Sequence, residues 1–303
     1  MPGPVLRLGD RRLTVDGTLV MGVVNASADS FSDGGRHGDL DARVALAAEL
    51  IAEGADIIDV GGQSAITGVP ETAAGVEVAL VEPVIRAIHA PWPDVIISVD
   101  TYKPEVAERA VDAGAAIVND VSGLLHPEVA RTCADRGAAL VIMHTRSLPK
   151  VRLVDPSFYG DVVADVVAFL GERMEVATGL GVPEEALIVD PGPDFAKTPA
   201  QTIEVLRHLG EVRSLGRPLL LALSRKDFIG AILQKPPRQR LAGTMAAIAH
   251  ASAEPGGIVR VHDVAATRDV LAVVDALQGR TEVAADYELP MSLRRELAPP
   301  SSS

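Results

Sequence analysis

Apolar and polar positions repeat along most of the chain as a short apolar run, a polar or glycine-rich turn and a longer stretch with helical spacing. Short apolar runs bounded by glycine, such as 56–60, are typical of strands that helices cover on both faces. The repeat predicts a series of strand-helix units. The predicted strands are 19–25, 56–60, 95–100, 116–120, 139–144, 187–190, 218–224 and 258–262.

The stretches between these strands predict helices, and proline marks one start at Pro104. In the first five units the predicted helices are 40–52, 73–89, 104–113, 127–136 and 158–178. Residues 5–15 predict a hairpin that could plug one end of a barrel. We therefore expect a hairpin extension at 1–18, one domain at 19–279, and a flexible tail at 280–303, where the periodicity is lost.

The eight predicted strand-helix units match the number in a TIM (β/α)8 barrel. This α/β fold carries its functional groups at the carboxyl ends of its strands. Each predicted strand also ends in a polar residue. These residues are Asn25, Asp59, Asp100, Asn119 with Asp120, His144, Asp190, Ser224 with Lys226, and Arg260 with His262. Any one of them could cap a helix, but the whole set indicates a ring around a site. A doubly wound open sheet, the alternative, would place function at one crevice.

The composition narrows the classes of partner. A formal net charge of -13 argues against nucleic-acid binding, which needs a basic face. An aromatic content of 3% requires an aliphatic core, and the single Cys133 excludes an internal disulfide. No apolar run is long enough to span a membrane, and no secretory signal is recognisable near Met1. We expect a cytoplasmic protein with neither membrane nor nucleic-acid partners.

Four of the strand-end residues predict a pocket for a flat heterocycle. Asp100, Asn119, Asp190 and Lys226 provide two carboxylates, an amide and an ammonium group. A carboxylate can accept hydrogen bonds from a ring N–H and an exocyclic amine together, while the other two satisfy a carbonyl and a ring nitrogen. A structural Lys–Asp network at the barrel mouth is the alternative interpretation.

Two further residues predict an anion site. Arg260 and His262 stand two apart in one strand, so their side chains point to the same face. A guanidinium group beside a second donor suits a phosphate or pyrophosphate. Asn25 could complete the site by binding Mg²⁺ through its amide oxygen. For His262, the alternative is a role in capping the next helix.

Six motifs within 19–279 resemble dihydropteroate synthase. The motifs are MGVVNASADSFSDGG, GADIIDVGGQS, ISVDTYKPEVAERAVDAGAAIVNDVSG, DPGPDFAKT, LALSRKDFIG and IVRVHDVAATRDVL. The resemblance implies a TIM barrel that condenses 6-hydroxymethyl-7,8-dihydropterin pyrophosphate with p-aminobenzoate and releases pyrophosphate, a step of folate biosynthesis. It also implies Mg²⁺ as a cofactor and assembly as a homodimer.

The resemblance implies roles for individual residues. It places in the pterin pocket Asp100, Asn119, Met143, Asp190 and Lys226. It places at the pyrophosphate and Mg²⁺ Asn25, Arg260 and His262. It places near the aryl amine Phe195, Ser224 and Arg225. Catalysis is expected from Asp100, Lys226, Arg260 and His262.

The chain departs from the family pattern in three places. The loop at 25–31 lacks the proline that stiffens it in the family. At 63–68 the chain reads Gln-Ser-Ala-Ile-Thr-Gly where the family reads Glu-Ser-Thr-Arg-Pro-Gly. Pro193-Asp194 replaces an aromatic-glycine pair. Because Ile66 cannot pair with an anion, we expect a rate loss of about 10²- to 10³-fold.

Two other functions remain open from the sequence. The first is a catalytically inactive pterin-binding homologue with a sensing or scaffolding role. The second is a pterin-dependent methyltransferase on a similar barrel, which would not need the Arg260–His262 anion site.

Overall fold

The computed structural model of the chain describes residues 3–26, 38–63, 68 and 70–295. Its first elements are two antiparallel strands, β1 (Val5–Leu8) and β2 (Arg11–Thr14). Eight parallel strands follow. They are β3 (Thr18–Asn25), β4 (Ile57–Gly61), β5 (Ile96–Asp100), β6 (Ile117–Asp120), β7 (Ala139–Met143), β8 (Leu187–Asp190), β9 (Leu219–Leu221) and β10 (Gly257–Val261).

The parallel strands close into a barrel. From β3 to β9 each strand pairs with the next one in the chain, and β10 then pairs with both β9 and β3. This closure confirms the predicted TIM (β/α)8 barrel and excludes the open doubly wound sheet. Strands β4 and β7 are buried at every position, as expected for strands enclosed by helices.

Helices cover the outside of the barrel and connect its strands. They are α1 (Gly38–Ala52), α2 (Ala74–His89), α3 (Pro104–Ala113), α4 (Glu128–Arg136), α5 (Val162–Gly179), α6 (Pro199–Arg207), α7 (Leu209–Arg213), α8 (Asp227–Leu233), α9 (Leu241–Ala251) and α10 (Val264–Leu277). Local sequence explains several ends. Thr198 and Gln201 form a capping box at the start of α6, and Gly114 ends α3 in a left-handed conformation.

The N-terminal hairpin packs against the amino-terminal end of the barrel. The amide of Gly9 donates to the carbonyl of Gly137, which precedes β7, at 2.8 Å. Strand β1 also contacts β7 and β8, and Leu6 is fully buried. The hairpin therefore closes the end of the barrel opposite to the carboxyl ends of the strands.

Two element boundaries differ from the sequence-based ones by three residues or more, and the others by at most two. Helix α5 begins at Val162 rather than at 158, because the Asp161 side chain accepts from the amides of Val163 and Ala164 and so caps the helix. Strand β9 ends at Leu221 rather than at 224. The chain turns there, and Arg225 adopts a left-handed φ of 60°.

The described end of the chain contains little regular structure. Residues 281–295 hold one short 3-10 turn, Met291–Leu293, and almost all of them are exposed. The flexibility of the whole tail stays a prediction. Within the described ranges, no helix combines the length and the apolar character that a membrane span requires.

Candidate active site

A cavity opens at the carboxyl ends of the barrel strands, and most of the predicted site residues line it. They are Asp100, Asn119, Met143, Asp190, Phe195, Lys226 and Arg260. Parallel register brings several of them together, since Asp100 is opposite Asn119 on neighbouring strands and Met143 is opposite Asp190. Residues far apart in sequence thus share one wall.

Arg260 joins two carboxylates in this wall. Its Nε donates to Oδ2 of Asp59 at 2.6 Å, and its Nη2 donates to Oδ2 of Asp100 at 2.8 Å. Asn119 also donates to Oδ2 of Asp59, at 3.4 Å. Burial by itself would lower the pKa of Arg260, but the two carboxylates more than offset it, so the pKa is raised. Arg260 is a fixed cation at every physiological pH.

The two carboxylates predicted to bind a heterocycle have altered proton affinity. Burial raises the pKa of Asp100 to about 7, although Arg260 opposes this change. Burial also raises the pKa of Asp190 to about 6, and the amide of Gly192, which donates to Oδ1 of Asp190 at 2.7 Å, opposes it. Both groups are therefore stronger proton and hydrogen-bond acceptors near neutral pH than an exposed Asp.

Lys226 and Phe195 also line the cavity. Nζ of Lys226 lies 4.4 Å from the centroid of the Phe195 ring, within range of a cation–π contact. Burial lowers the pKa of Lys226, and Asp194 and Asp190 counteract this effect. With buried Met143 as a further apolar surface, the cavity combines flat apolar walls with polar groups at its edges, which suits a heterocycle.

The other predicted site residues lie at the rim of the cavity. Oγ of Ser224 is 2.9 Å from Nδ1 of His262, just beyond β10. Arg225 donates from Nη2 to both carboxylate oxygens of Asp263, at 2.9 and 3.0 Å. Asn25 is exposed at the end of β3, the neighbour of β10. These hydrogen-bond donors therefore lie on one side of the barrel mouth, at the ends of the neighbouring strands β9, β10 and β3.

A buried lysine was missed by the sequence reasoning. Lys197 is 2% exposed, and its Nζ contacts Nδ1 of His144 at 2.7 Å and the carbonyls of Gly192 and Phe195 at 3.1 and 3.2 Å. Burial lowers the pKa of Lys197 to about 7 and, with Lys197 nearby, that of His144 to about 3. His144 is thus neutral, so Nδ1 accepts from Lys197. Nothing in the spacing of the motif 190–198 signals these contacts.

The sequence also did not predict the contacts of Asp59 or those of Gln63 at the start of the second loop. Asp59 ends a predicted strand, but only the structure shows its pairing with Arg260. Gln63 accepts from Nζ of Lys103 at 3.1 Å and donates to the Tyr102 hydroxyl at 2.9 Å, and Lys103 pairs with buried Glu77 at 2.6 Å. The departures from the family at 27–31 and 64–67 lie outside the described residues.

Among the described residues, a site for Mg²⁺ at the mouth of the barrel would depend on Asn25 rather than on a cluster of carboxylates. In the part of the chain that the structure describes, no group of three or more His, Cys, Asp and Glu residues could hold a metal ion. An exposed amide oxygen such as that of Asn25 suits Mg²⁺, which keeps most of its coordination shell for water and phosphate oxygens. The residues present are therefore compatible with a Mg²⁺ ion that is held mainly by water and by the phosphate oxygens of a bound substrate.

Comparison with known proteins identifies the family. Residues 21–262 match the family described as "Pterin binding enzyme". The chain is 41% identical over 262 residues to dihydropteroate synthase of Synechocystis, covering 86% of this chain and 90% of the relative. It is also 41% identical over 261 residues to that of Bacillus subtilis, covering 86% and 88%. This chain belongs to the dihydropteroate synthase family.

Solved structures of the family agree with this assignment. The dihydropteroate synthase of Xanthomonas albilineans with 4-aminobenzoic acid is 42% identical to this chain and has a TM-score of 0.83. The match covers 91% of this chain and 98% of the other chain. The same enzyme in complex with 7,8-dihydropteroate is 41% identical with a TM-score of 0.80, over 91% and 98% of the two chains. The similarity thus spans the barrel, the cavity and its rim.

Proposed function

We propose that the chain is a transferase that condenses 6-hydroxymethyl-7,8-dihydropterin pyrophosphate with p-aminobenzoate, or a related aryl amine, in folate biosynthesis. The observation that carries the proposal is the convergence of Asp100, Asn119, Asp190 and Lys226 in one cavity beside the cation Arg260. The dihydropteroate synthases to which the chain is similar support it.

In the proposed reaction the cavity holds the pterin flat. Asp190 and Asp100 accept from the N–H groups along its edge, while Asn119 and Lys226 satisfy its oxygen and nitrogen acceptors. Their positions on rigid strand ends hold the exocyclic methylene of the pterin toward the mouth of the barrel. This orientation supplies the positioning that a substitution between two bound substrates requires.

The bond between this methylene and the pyrophosphate oxygen breaks, and the oxygen keeps the electron pair. Arg260 and the rim donor His262 stabilise the negative charge of the leaving group, while Ser224, whose Oγ is 2.9 Å from Nδ1 of His262, lies toward the aryl amine. The aryl amine nitrogen, already neutral at pH 7, forms the new C–N bond and then loses a proton to water. No strong base is needed, and the described residues that line the cavity include no nucleophile-base pair of the kind that covalent catalysis uses.

We propose that Asn25 helps to hold Mg²⁺, together with pyrophosphate and water. When bound, the ion would neutralise charge on the leaving pyrophosphate. We also propose that the protein acts as a homodimer, as the family resemblance implies, and that it is cytoplasmic, which its single cysteine supports.

A pyrophosphate-release assay tests the function. Purified protein with dihydropterin pyrophosphate, Mg²⁺ and p-aminobenzoate should release pyrophosphate and form dihydropteroate. Several aryl amines should be compared in parallel. Absence of release with every amine, combined with calorimetric binding of the pterin pyrophosphate, would instead indicate an inactive pterin-binding homologue.

The second-loop departure makes a separate prediction. Replacing Ile66 by Arg, together with Ala65→Thr and Thr67→Pro, should increase kcat/KM by about 10- to 100-fold, because the new guanidinium group can pair with an anion in the transition state. Steady-state kinetics of the triple variant and the parent measure this change. Ile66→Leu is the matched control, and a triple variant no faster than the parent would show that the loop does not limit the rate.

A further inference from the structure

Asp194 stands in an unusual backbone conformation beside the cavity. Its φ is +65°, in the left-handed region that favours glycine, and the family pattern has glycine at this position. Gly192 and Ala196 in the same loop also have positive φ values, of 64° and 49°. Because a positive φ is unfavourable for a residue with a side chain, the contacts of the Asp194 side chain must compensate for this conformation.

The Asp194 carboxylate connects two loops of the barrel mouth. Its Oδ2 accepts from the backbone amides of Asp227 and Phe228, at 2.5 and 3.3 Å, in the first turn of α8. Its Oδ1 accepts from the Thr202 hydroxyl at 3.1 Å, and that hydroxyl accepts from the Asp194 amide at 3.0 Å. Lys226, the residue before α8, gives no side-chain cap, and Asp194 caps this helix from the loop after β8.

The connected segments carry two groups that contact each other and line the cavity. Phe195 follows Asp194 directly, and Lys226 precedes Asp227. Their side chains meet at 4.4 Å between the ammonium nitrogen and the ring centroid. The Asp194 bridge therefore constrains the separation between the Phe195 ring and the Lys226 ammonium group.

We propose that Asp194 is a positioning residue for the second substrate: by clamping the loop after β8 to the first turn of α8, it holds the Phe195 ring against Lys226, so that the ring forms a fixed wall for the aryl amine. The proposal rests on the proposed function. It concerns a residue that is not among those lining the cavity, and it assigns a role to a position where the chain differs from its family.

The charge of Asp194 has a second consequence. It helps to keep the pKa of Lys226 from falling further, because burial lowers that pKa and Asp194 is the largest influence opposing it. The other charged groups that act on Lys226 are Asp190, Arg260 and Asp227. Lys197 and His262 also lie within its electrostatic range. Removal of the Asp194 charge should move the alkaline limb of the pH–rate profile to lower pH.

Three variants separate the clamp from the backbone. Asp194→Gly removes the carboxylate and suits the left-handed φ, whereas Asp194→Asn keeps one oxygen acceptor and also tolerates that φ. Ala196→Gly is the matched control, since it places glycine at another left-handed position of the same loop. The KM for p-aminobenzoate should rise about tenfold in Asp194→Gly and about two- to threefold in Asp194→Asn, with that of Ala196→Gly unchanged. Because Lys226 also serves the pterin, the KM for the pterin pyrophosphate should rise in Asp194→Gly too, but by less than the KM for p-aminobenzoate, and it should be unchanged in Ala196→Gly.

Amide hydrogen exchange tests the clamp independently of turnover. The amides of Asp227 and Phe228 should exchange faster in Asp194→Gly than in the parent and in Ala196→Gly. If the parent releases no pyrophosphate, the proposed function fails while exchange still tests the clamp. Unchanged exchange, an equal rise in KM in Ala196→Gly, or an Asp194→Gly variant with the parent's KM and pH profile would overturn the proposal.

Discussion

Replacing Arg260 by methionine is expected to lower the free energy of unfolding by about 3 to 5 kcal/mol at pH 8, because it leaves a buried carboxylate without its cation. Asp59 is fully buried, and its Oδ1 already has no hydrogen-bond partner among the described residues. The same substitution should lower kcat/KM by about 10²- to 10³-fold, since it removes the fixed cation proposed to act on pyrophosphate. Urea denaturation and steady-state kinetics measure the two effects.

The loss of stability should be smaller at pH 5 than at pH 8. Without Arg260 the pKa of Asp100 rises above its value of about 7, so this carboxyl is neutral at pH 5 and Asp59 alone lacks its cation there. The double variant Asp59→Asn with Arg260→Met is the control. It should recover most of the stability but none of the activity, and a double variant as unstable as the single one would contradict the ion-pair explanation.

Replacing Asp190 by asparagine should decrease activity and increase stability together. The expected loss in kcat/KM is about 10³-fold, because the carboxylate that accepts two N–H groups of the pterin becomes an amide. The free energy of unfolding should rise by about 2 to 3 kcal/mol at pH 8, because burial raises the pKa of Asp190 from 3.8 to about 6 and each pKa unit corresponds to about 1.4 kcal/mol. Asparagine keeps an oxygen for the Gly192 amide.

The sign of this stability change depends on pH. A carboxyl whose pKa is raised on folding favours the folded state at low pH, and this contribution is lost as the pH rises through about 6. The variant and the parent should therefore be equally stable at pH 4 and diverge between pH 4 and 7. Denaturation curves at pH 4, 6 and 8 measure the difference. A variant that is less stable than the parent at pH 8 would contradict this expectation. It would show that the attraction between the Asp190 carboxylate and the nearby lysines stabilises the fold by more than the burial of the charge destabilises it.

The two variants differ in what they reveal about the cavity. Arg260 stabilises both the protein and the proposed leaving group, so its removal should harm both. Burial of the Asp190 carboxylate destabilises the folded protein when this group is ionised. A buried group that costs stability is expected where its charge serves function. The opposite signs of their stability effects distinguish a structural ion pair from a binding group within one cavity.

The periodic pattern of the chain determined the architecture in advance. Apolar runs with polar ends predicted the strands, their order and the barrel, because a strand buried on both faces tolerates polar side chains only where it reaches the mouth. The same rule indicated Asp100, Asn119, Asp190 and Lys226 as members of one site, and the structure places them around one cavity. These features depend on local composition and on the closure that the barrel imposes.

Only the tertiary structure decided which charges meet. Asp59 and Arg260 stand at opposite ends of the barrel sequence and pair because their side chains converge inside it, and Lys197 finds His144 in the same way. Asp194 appears in the sequence as a loop residue in place of glycine, and its bond to the start of α8 depends on how two separate loops pack. Such pairings follow from side-chain direction and the distance across a closed barrel, for which a linear sequence carries no periodic signal.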